Sequence, residues 1–490
     1  MITGKKITKT INVLKTKIGK YLLKNRINDA LKLISISSNI LYFFNQLYTD
    51  DDLEEYIENV AKSISTETFD ITNEKTIIFY DGFGFCNRGL IIQYLRALTK
   101  FDNFVYITFR KFEKSIKPLE EIILSNSGKI VYLEKSLPID QIKELNEIIY
   151  QLKPKHFFIY TTPFDVIVTT SLTCHKTSNM KKYLINLTDH AYWLGTRIFD
   201  ILIEFREYGA FISEKYRKID KSKLVKLPFY PIIDNKEFEG YPFNFDEKTQ
   251  KLIFSGGALY KTIDKENTYY KIIEKILNYD ESTVFWYAGS GNDKKMKLLM
   301  KKYPNRVFLT KERPDFLEII KRSYFYLNTY PISGGLMPQY AASVGKVPLS
   351  LKHNDDITGI LIEQEKLNII FDSLEELFSK IELLLSNENE VKEYSTKLKN
   401  AVISEEKFNN EIKNLLEKEN TNYKLNLNKT FDDEKLRQTY LNQITYKEFC
   451  DILITKETIF MLLMIFPKES LFKIFSKIKN KFFCKYRRIK

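Results

Sequence analysis

What most constrains this chain is an alternation that runs through it twice. A short run of apolar, β-branched or aromatic residues is followed by a stretch with helical spacing, and then by the next short run. In the first series, residues 76–80 (TIIFY), 104–109, 129–133, 156–161 (HFFIYT), 182–187, 198–205 and 224–229 read as strands. Helical stretches at 88–100, 119–124, 140–152 and 213–218 separate several of them. The second series begins at Lys251, with strands at 252–254, 283–287, 307–309, 324–330, 347–351 and 368–371. Helices at 268–277, 293–302, 315–321, 336–344 and 374–385 fall among them. Strands joined by helical crossovers make parallel sheets with helices on both faces. The expected fold is therefore α/β, with two Rossmann-like, doubly wound domains at 75–233 and 250–420. Residues 231–249, rich in Pro, Gly, Asn and acids, read as the linker between them.

In open sheets of this kind ligands sit beyond the carboxyl ends of the strands. Three glycine turns of the second series fall there: Gly256-Gly257, Gly289 with Gly291, and Ser333-Gly334-Gly335. The last lies within NTYPISGGLMPQYAASVGKVPLSL (328–351), which reads as strand, glycine turn, helix, glycine and strand. A Ser-Gly-Gly turn feeding a helix N-terminus points free N–H groups and the positive end of the helix dipole at one spot, which suits an anion such as a diphosphate. In the first series, DGFGFCNRG (81–89) follows the first strand. Its glycines, at 82, 84 and 89, do not make GxGxxG, and no acid ends the second strand, so a nicotinamide site is not expected.

The formal charge is +13, but it is unevenly spread. Residues 1–26 and 468–490 each carry +8, leaving −3 for everything between. A nucleic-acid groove would put its charge on the folded body, so no nucleic-acid partner is expected. Basic ends interleaved with Ile, Leu and Phe fit an anionic membrane surface. The ends are expected to be a helical region at 1–70, read as an α-hairpin, and a helical, basic, amphipathic tail at 421–490. No apolar run is long enough to span a bilayer and no secretory signal is read. Four scattered cysteines argue against a disulfide framework or zinc site, and for a reducing compartment. The expected location is cytoplasmic, peripheral on the inner face of the cell membrane.

The second series resembles the donor-binding half of GT-B glycosyltransferases, which have two facing Rossmann-like domains. The resemblance covers roughly 251–385 and rests on order and spacing: strand–GG–Lys turn, strand–GxG, then KER at 311–313 and YPISGGLMPQYAASVGKVPL from Tyr330. It is similar to the glycosyltransferase group 1, or family 4, pattern. In the first domain DHAYWLG (189–195) is similar to a segment of bacterial relatives of O-linked N-acetylglucosamine transferases.

The resemblance implies a metal-independent transfer of sugar from a nucleotide diphosphate sugar, a UDP-sugar in the first instance, with no cofactor. The acceptor would be a glycan, a lipid-linked sugar or a protein, in surface polysaccharide or glycoprotein assembly; self- or hetero-association is left open. Gly334 and Gly335 would present N–H groups to the diphosphate and Lys261 would neutralise it as the sugar leaves. Gly256, Gly257, Gly289, Gly291, Arg313 and Ser333 would line the donor site. His190 would take the acceptor hydroxyl proton, oriented by Asp189. Gly82, Gly84, Asn87 and Arg88 would form a loop in the cleft. The chain departs from the pattern where a ribose-gripping carboxylate is usual, having Gln339 and Tyr340 there. A sugar-nucleotide epimerase of the same architecture, or a catalytically inert GT-B subunit, are the alternatives.

Overall fold

A computed structural model describes residues 4–44, 47–64, 73–84, 90–109, 113–234, 236–353, 360–441, 444 and 446–472. The chain divides into two compact units. The first takes in residues 1–203, 212–225 and 440–490, and the second 204–211 and 226–439.

The first unit opens with three helices, α1 (Gly4–Leu23), α2 (Ile27–Phe44) and α3 (Asp51–Lys62), rather than the expected hairpin. In α1 the buried stripe Ile7, Ile11, Leu14 and Ile18 keeps helical spacing, but lysines dilute it in the sequence. Asp50 starts α3, its carboxylate accepting from the Leu53 N–H at 3.1 Å.

Among the described residues seven strands follow: β1 (Asn73–Asp81), β2 (Phe104–Phe109), β3 (Lys129–Leu133), β4 (Pro154–Tyr160), β5 (Lys181–Ile185), β6 (Ile201–Glu204) and β7 (Leu224–Lys226). They form one sheet in the order β3-β2-β1-β4-β5-β6-β7. β1 pairs in parallel with both β2 and β4, with Ile78 opposite Val105 on one side and Phe157 on the other. Ile77–Tyr80 and Phe157–Tyr160 are almost wholly buried, which is why they read as unbroken apolar runs.

The segment from Tyr446 belongs to this unit too. The helix Tyr446–Leu453 packs on α2, with the Phe449 ring edge-on to Phe44 at 5.4 Å. The short helix Ile459–Leu462 lies against α1, and Lys6 Nζ sits 5.6 Å from the centre of the Phe466 ring. The part of the expected tail beyond Phe472 lies outside the described residues.

Among the described residues the second unit carries six strands: β8 (Lys251–Gly256), β9 (Thr283–Ala288), β10 (Val307–Thr310), β11 (Phe325–Leu327), β12 (Pro348–Leu351) and β13 (Ile370–Phe371). Their order, β10-β9-β8-β11-β12-β13, is that of a dinucleotide-binding fold, and neighbouring strands run parallel.

The stretch read as a linker is better described as a cover. Phe238, Tyr241, Phe243 and Phe245 pack onto the cluster that contains Phe254, Trp286 and Tyr326. Phe243 stacks on Phe308 at 3.7 Å between ring centres. Pro and Gly mark this segment as irregular, but its aromatic residues are what decide where it lies. Among the described residues no helix is long and apolar enough to cross a membrane.

Candidate functional site

In the second unit the strand order reverses direction between β8 and β11, and this is where such sheets leave a crevice for ligands. The two neighbouring strands run in register, Phe325 opposite Ile253 and Tyr326 opposite Phe254. β8 ends in Gly256 and passes through Gly257 into a 3-10 turn, Leu259–Thr262, that carries Lys261. β11 ends at Leu327 and passes through Asn328 to Ser333-Gly334-Gly335 and the helix Leu336–Ser343. A hydrogen bond joins the two turns, the Ile332 N–H donating to the Lys261 carbonyl at 3.3 Å. Lys261 and the Ser-Gly-Gly turn, 70 or so residues apart in sequence, are thus fastened at one place.

The glycines at β8 and β9 are there for close approach. A Cβ on Gly289 would lie 1.9 Å from the Gly257 carbonyl oxygen, and one on Gly256 2.9 Å from that of Ala288. The Gly257 N–H donates to Ala288 O at 3.0 Å, the Leu259 N–H to Ser290 O at 2.9 Å and the Gly289 N–H to Thr310 O at 2.9 Å. Gly257 and Gly291 have φ of +127° and +130°, backbone that L side chains rarely adopt. Beside this turn the Ser290 hydroxyl bonds the Glu312 carboxylate and holds it below the usual carboxylate range.

The turn after β11 is set by Asn328, a residue that the sequence reading did not single out. Its Oδ1 accepts from the N–H groups of Gly334 and Thr329, each at 3.0 Å, and its Nδ2 donates to Ser350 Oγ at 3.0 Å. Its place after a strand and before a glycine turn was the available signal. The Gly334 N–H is therefore already taken. Gly335 caps the helix, and the N–H groups of Gly335 and Leu336 have no hydrogen-bond partner among the described residues. The open N–H groups of this turn therefore start at Gly335, one residue later than the expected Gly334. His353, just past β12, also escaped the sequence reading; its Nδ1 lies 3.2 Å from the Tyr330 hydroxyl.

Three residues expected at the donor have other partners in the second unit. Gln339 is 2% exposed, and its amide nitrogen donates to the carbonyls of Phe229 and Ile360 at 3.0 and 2.9 Å. Tyr340 stands edge-on to Phe316, 4.8 Å between ring centres. The Arg313 guanidinium makes two 2.7 Å bonds to Asp315, reaches the Gly240 carbonyl at 3.2 Å and lies over Trp286. It ties the aromatic cover to the sheet.

In the first unit, Gly82 and Gly84 follow β1. The buried Asp81 carboxylate accepts from the N–H groups of Phe83 and Gly84 and from the Tyr106 hydroxyl. Gly82 lies so close to β4's end that a Cβ would meet Thr161 Oγ1 at 1.9 Å and Asp165 Oδ2 at 2.5 Å. Asn87 and Arg88 lie outside the described residues.

The segment 186–195 follows β5. Asp189 is buried, and its Oδ1 lies 3.5 Å from Nδ1 of the partly exposed His190. Arg217 clasps the loop from beneath, donating to the carbonyls of Thr188, Asp189 and Ala191 at 3.3, 3.1 and 2.6 Å, with its guanidinium over Trp193. At the far end Glu54 of α3 accepts from the N–H groups of Gly195 and Thr196 at 2.8 and 3.0 Å, and burial raises its pKa. The N-terminal helices thus brace the loop that bears His190. His190 and Asp189 belong to the first unit; Lys261 and the three glycine turns belong to the second. Among the described residues no group of three or more His, Cys, Asp or Glu is placed to hold a metal ion.

No protein-family model matches the chain, and no curated protein is similar to it in sequence. Its fold does have solved counterparts. A mutant of the O-GlcNAc transferase of Thermobaculum terrenum matches with a TM-score of 0.51 and 12% identity, over 89% of this chain and 84% of that one. The HepE protein of Anabaena, in complex with UDP, matches with a TM-score of 0.51 and 10% identity, over 70% of this chain and 99% of that one. Two parallel-sheet α/β domains with these neighbours define a GT-B fold.

Proposed function

We propose that this chain is a glycosyltransferase that moves a sugar from a nucleoside diphosphate sugar to an acceptor hydroxyl. The observation that carries the reading is the Ile332–Lys261 hydrogen bond at the switch point of the second sheet, which fastens a lysine beside a glycine turn that opens a helix. A cation and unpaired N–H groups at one spot stabilise the negative charge of a departing diphosphate. That two proteins of the same fold are an O-GlcNAc transferase and a protein solved with UDP supports a UDP-sugar as donor.

In the reaction the acceptor oxygen attacks the anomeric carbon while the bond from that carbon to the diphosphate oxygen breaks. Lys261 and the N–H groups of Gly335 and Leu336 take up the charge on the leaving diphosphate. His190, oriented by Asp189, receives the acceptor proton. The acceptor is a glycan, a lipid-linked sugar or a protein, in surface polysaccharide or glycoprotein assembly, and the work is done at the inner face of the cell membrane. The chemistry needs no metal.

Titration of the purified protein with UDP, GDP and their sugars tests this. Micromolar to millimolar UDP binding and acceptor-dependent release of UDP are expected. Lys261→Ala should lower transfer by about 100-fold or more, the scale of losing one charge-stabilising group. Absence of nucleotide binding would overturn the enzyme reading, and turnover without an acceptor would point to an epimerase.

A further inference from the structure

The first unit carries an exposed face that neither the donor site nor the loop at His190 uses. The core side of α1 is Ile7, Ile11, Leu14 and Ile18. Its opposite side exposes Lys5, Lys9, Thr16 and Lys20, and the helix contains no acid. Lys5, Thr8, Lys9, Asn12, Val13 and Thr16 form a shallow open patch along this side. Lys15, further round, is not part of it, since Asp50 and Asp52 pair with it at 2.5 and 2.9 Å. Leu23 lies eighteen residues after Lys5, five helical turns on and so on the same stripe, and is 90% exposed.

Beside the start of α1 sits the segment 459–466. Ile459, Leu462, Ile465 and Phe466 are buried, while Phe460 and Met464 are 81% and 90% exposed. Phe460 lies in the short helix and Met464 in the turn that follows it. The 5.6 Å approach of Lys6 to the buried Phe466 ring holds the start of α1 beside this segment. Two large apolar side chains held out in water beside a helix whose charges are all of one sign make a surface with an apolar tip and a cationic flank.

We propose that this surface, α1 together with residues 459–466, docks on an anionic phospholipid bilayer. Phe460 and Met464 enter the acyl boundary, and Lys5, Lys6 and Lys9 lie among the headgroup phosphates. Charge complementarity selects the partner: a protein groove accepting the ridge would need acids against every lysine, whereas anionic headgroups supply that charge at any register. The proposal gives the membrane part of the preceding reading its contact residues and is independent of the donor chemistry.

The test is flotation of the full chain with vesicles of phosphatidylcholine alone and of phosphatidylcholine mixed with phosphatidylglycerol. Binding is expected only to the mixed vesicles. Lys5→Ala/Lys6→Ala/Lys9→Ala should weaken it roughly a hundredfold, at about fivefold for each lysine near the surface. Phe460→Ser/Met464→Ser should weaken it about tenfold or more, and these positions are exposed enough that melting should not change. UDP binding serves as the control, and both variants should keep it; loss of UDP binding in the native chain would strike at the donor reading alone. Undiminished vesicle binding in both variants overturns the proposal. So does a finding that Phe460→Ser/Met464→Ser abolishes self-association in sedimentation while leaving vesicle binding intact.

Discussion

Gly289→Ala isolates what the turn after β9 does. At this position φ is not positive, so alanine carries no backbone penalty there and the cost is purely one of space. The new Cβ would stand 1.9 Å from the Gly257 carbonyl oxygen, 2.8 Å from Tyr287 Cε1 and 3.0 Å from the Gly257 carbonyl carbon. An ordinary contact needs more than a further ångström, and backbone rather than a side-chain tip must move. Overpacking of this sort costs ~1–3 kcal/mol. Moving the 257 turn also strains the Gly257-to-Ala288 and Gly289-to-Thr310 hydrogen bonds, each worth ~1 kcal/mol. A total of about 3 kcal/mol corresponds to a fall of roughly 6–12 °C in the melting of a unit this size. Because the same turn leads to Lys261, UDP affinity should fall as well, by tenfold or so. Gly257→Ala is the contrast: its Cβ meets nothing within 4 Å, but φ is +127°, so it should destabilise through backbone strain alone. Calorimetric melting and isothermal titration with UDP read both quantities. A Gly289→Ala protein that melts and binds UDP like the native chain would refute the close-approach argument.

Asn328→Asp keeps the shape of the brace at the Ser-Gly-Gly turn but replaces the amide that donates to Ser350 with a carboxylate beside the diphosphate position, so UDP affinity should drop more than about tenfold; equal affinity would remove the diphosphate from this turn. Glu54→Ala leaves the Gly195 and Thr196 N–H groups without an acceptor and should cost about 3 kcal/mol in denaturant melts. Glu54→Gln retains an acceptor. Since burial raises the Glu54 pKa, the stability this carboxyl contributes is complete below its ordinary value and is lost as pH rises through the raised one, so Glu54→Gln should gain on the native protein toward alkaline pH. His156 is pushed down to about 4 by burial, with Lys155 and Lys181 adding to it. Its stabilising effect is present above the ordinary value near 6.5 and should fade as pH drops toward 4; His156→Gln should flatten the stability profile in that window, and an unchanged profile would refute the assignment.

The parallel strands were legible because strands buried on both faces carry unbroken apolar runs, and the order of those runs sufficed for two doubly wound sheets. The helix Val166–Cys174, VIVTTSLTC, was not legible. It is buried from Val166 to Leu172, so no amphipathic period marks it, and its β-branched residues argue for a strand. What makes it a helix is Asp165, which accepts from the Ile167 and Val168 N–H groups, and the Thr169 and Thr173 hydroxyls bonding back to the preceding turn. At the candidate site the glycine turns could be read from spacing at strand ends, and Lys261 was singled out by the resemblance. The roles of Gln339 and Arg313 could not, because the carbonyls and carboxylates that claim them are fixed only by tertiary packing. The bond from Glu54 to Gly195 spans 141 residues and leaves no local trace.

The return of the chain to the first unit has a consequence for its synthesis. Phe449, which packs on Phe44, leaves the ribosome about 400 residues after it, roughly 20–80 s later at ordinary elongation rates. Through that interval the second unit, whose residues end at Thr439, can be made and folded, while α2, already packed by α1 and α3, lacks the part of its cover that comes from Tyr446–Leu453. The unit begun first is therefore the one finished last, and the segment from Tyr446 docks on helices that were made some 400 residues earlier.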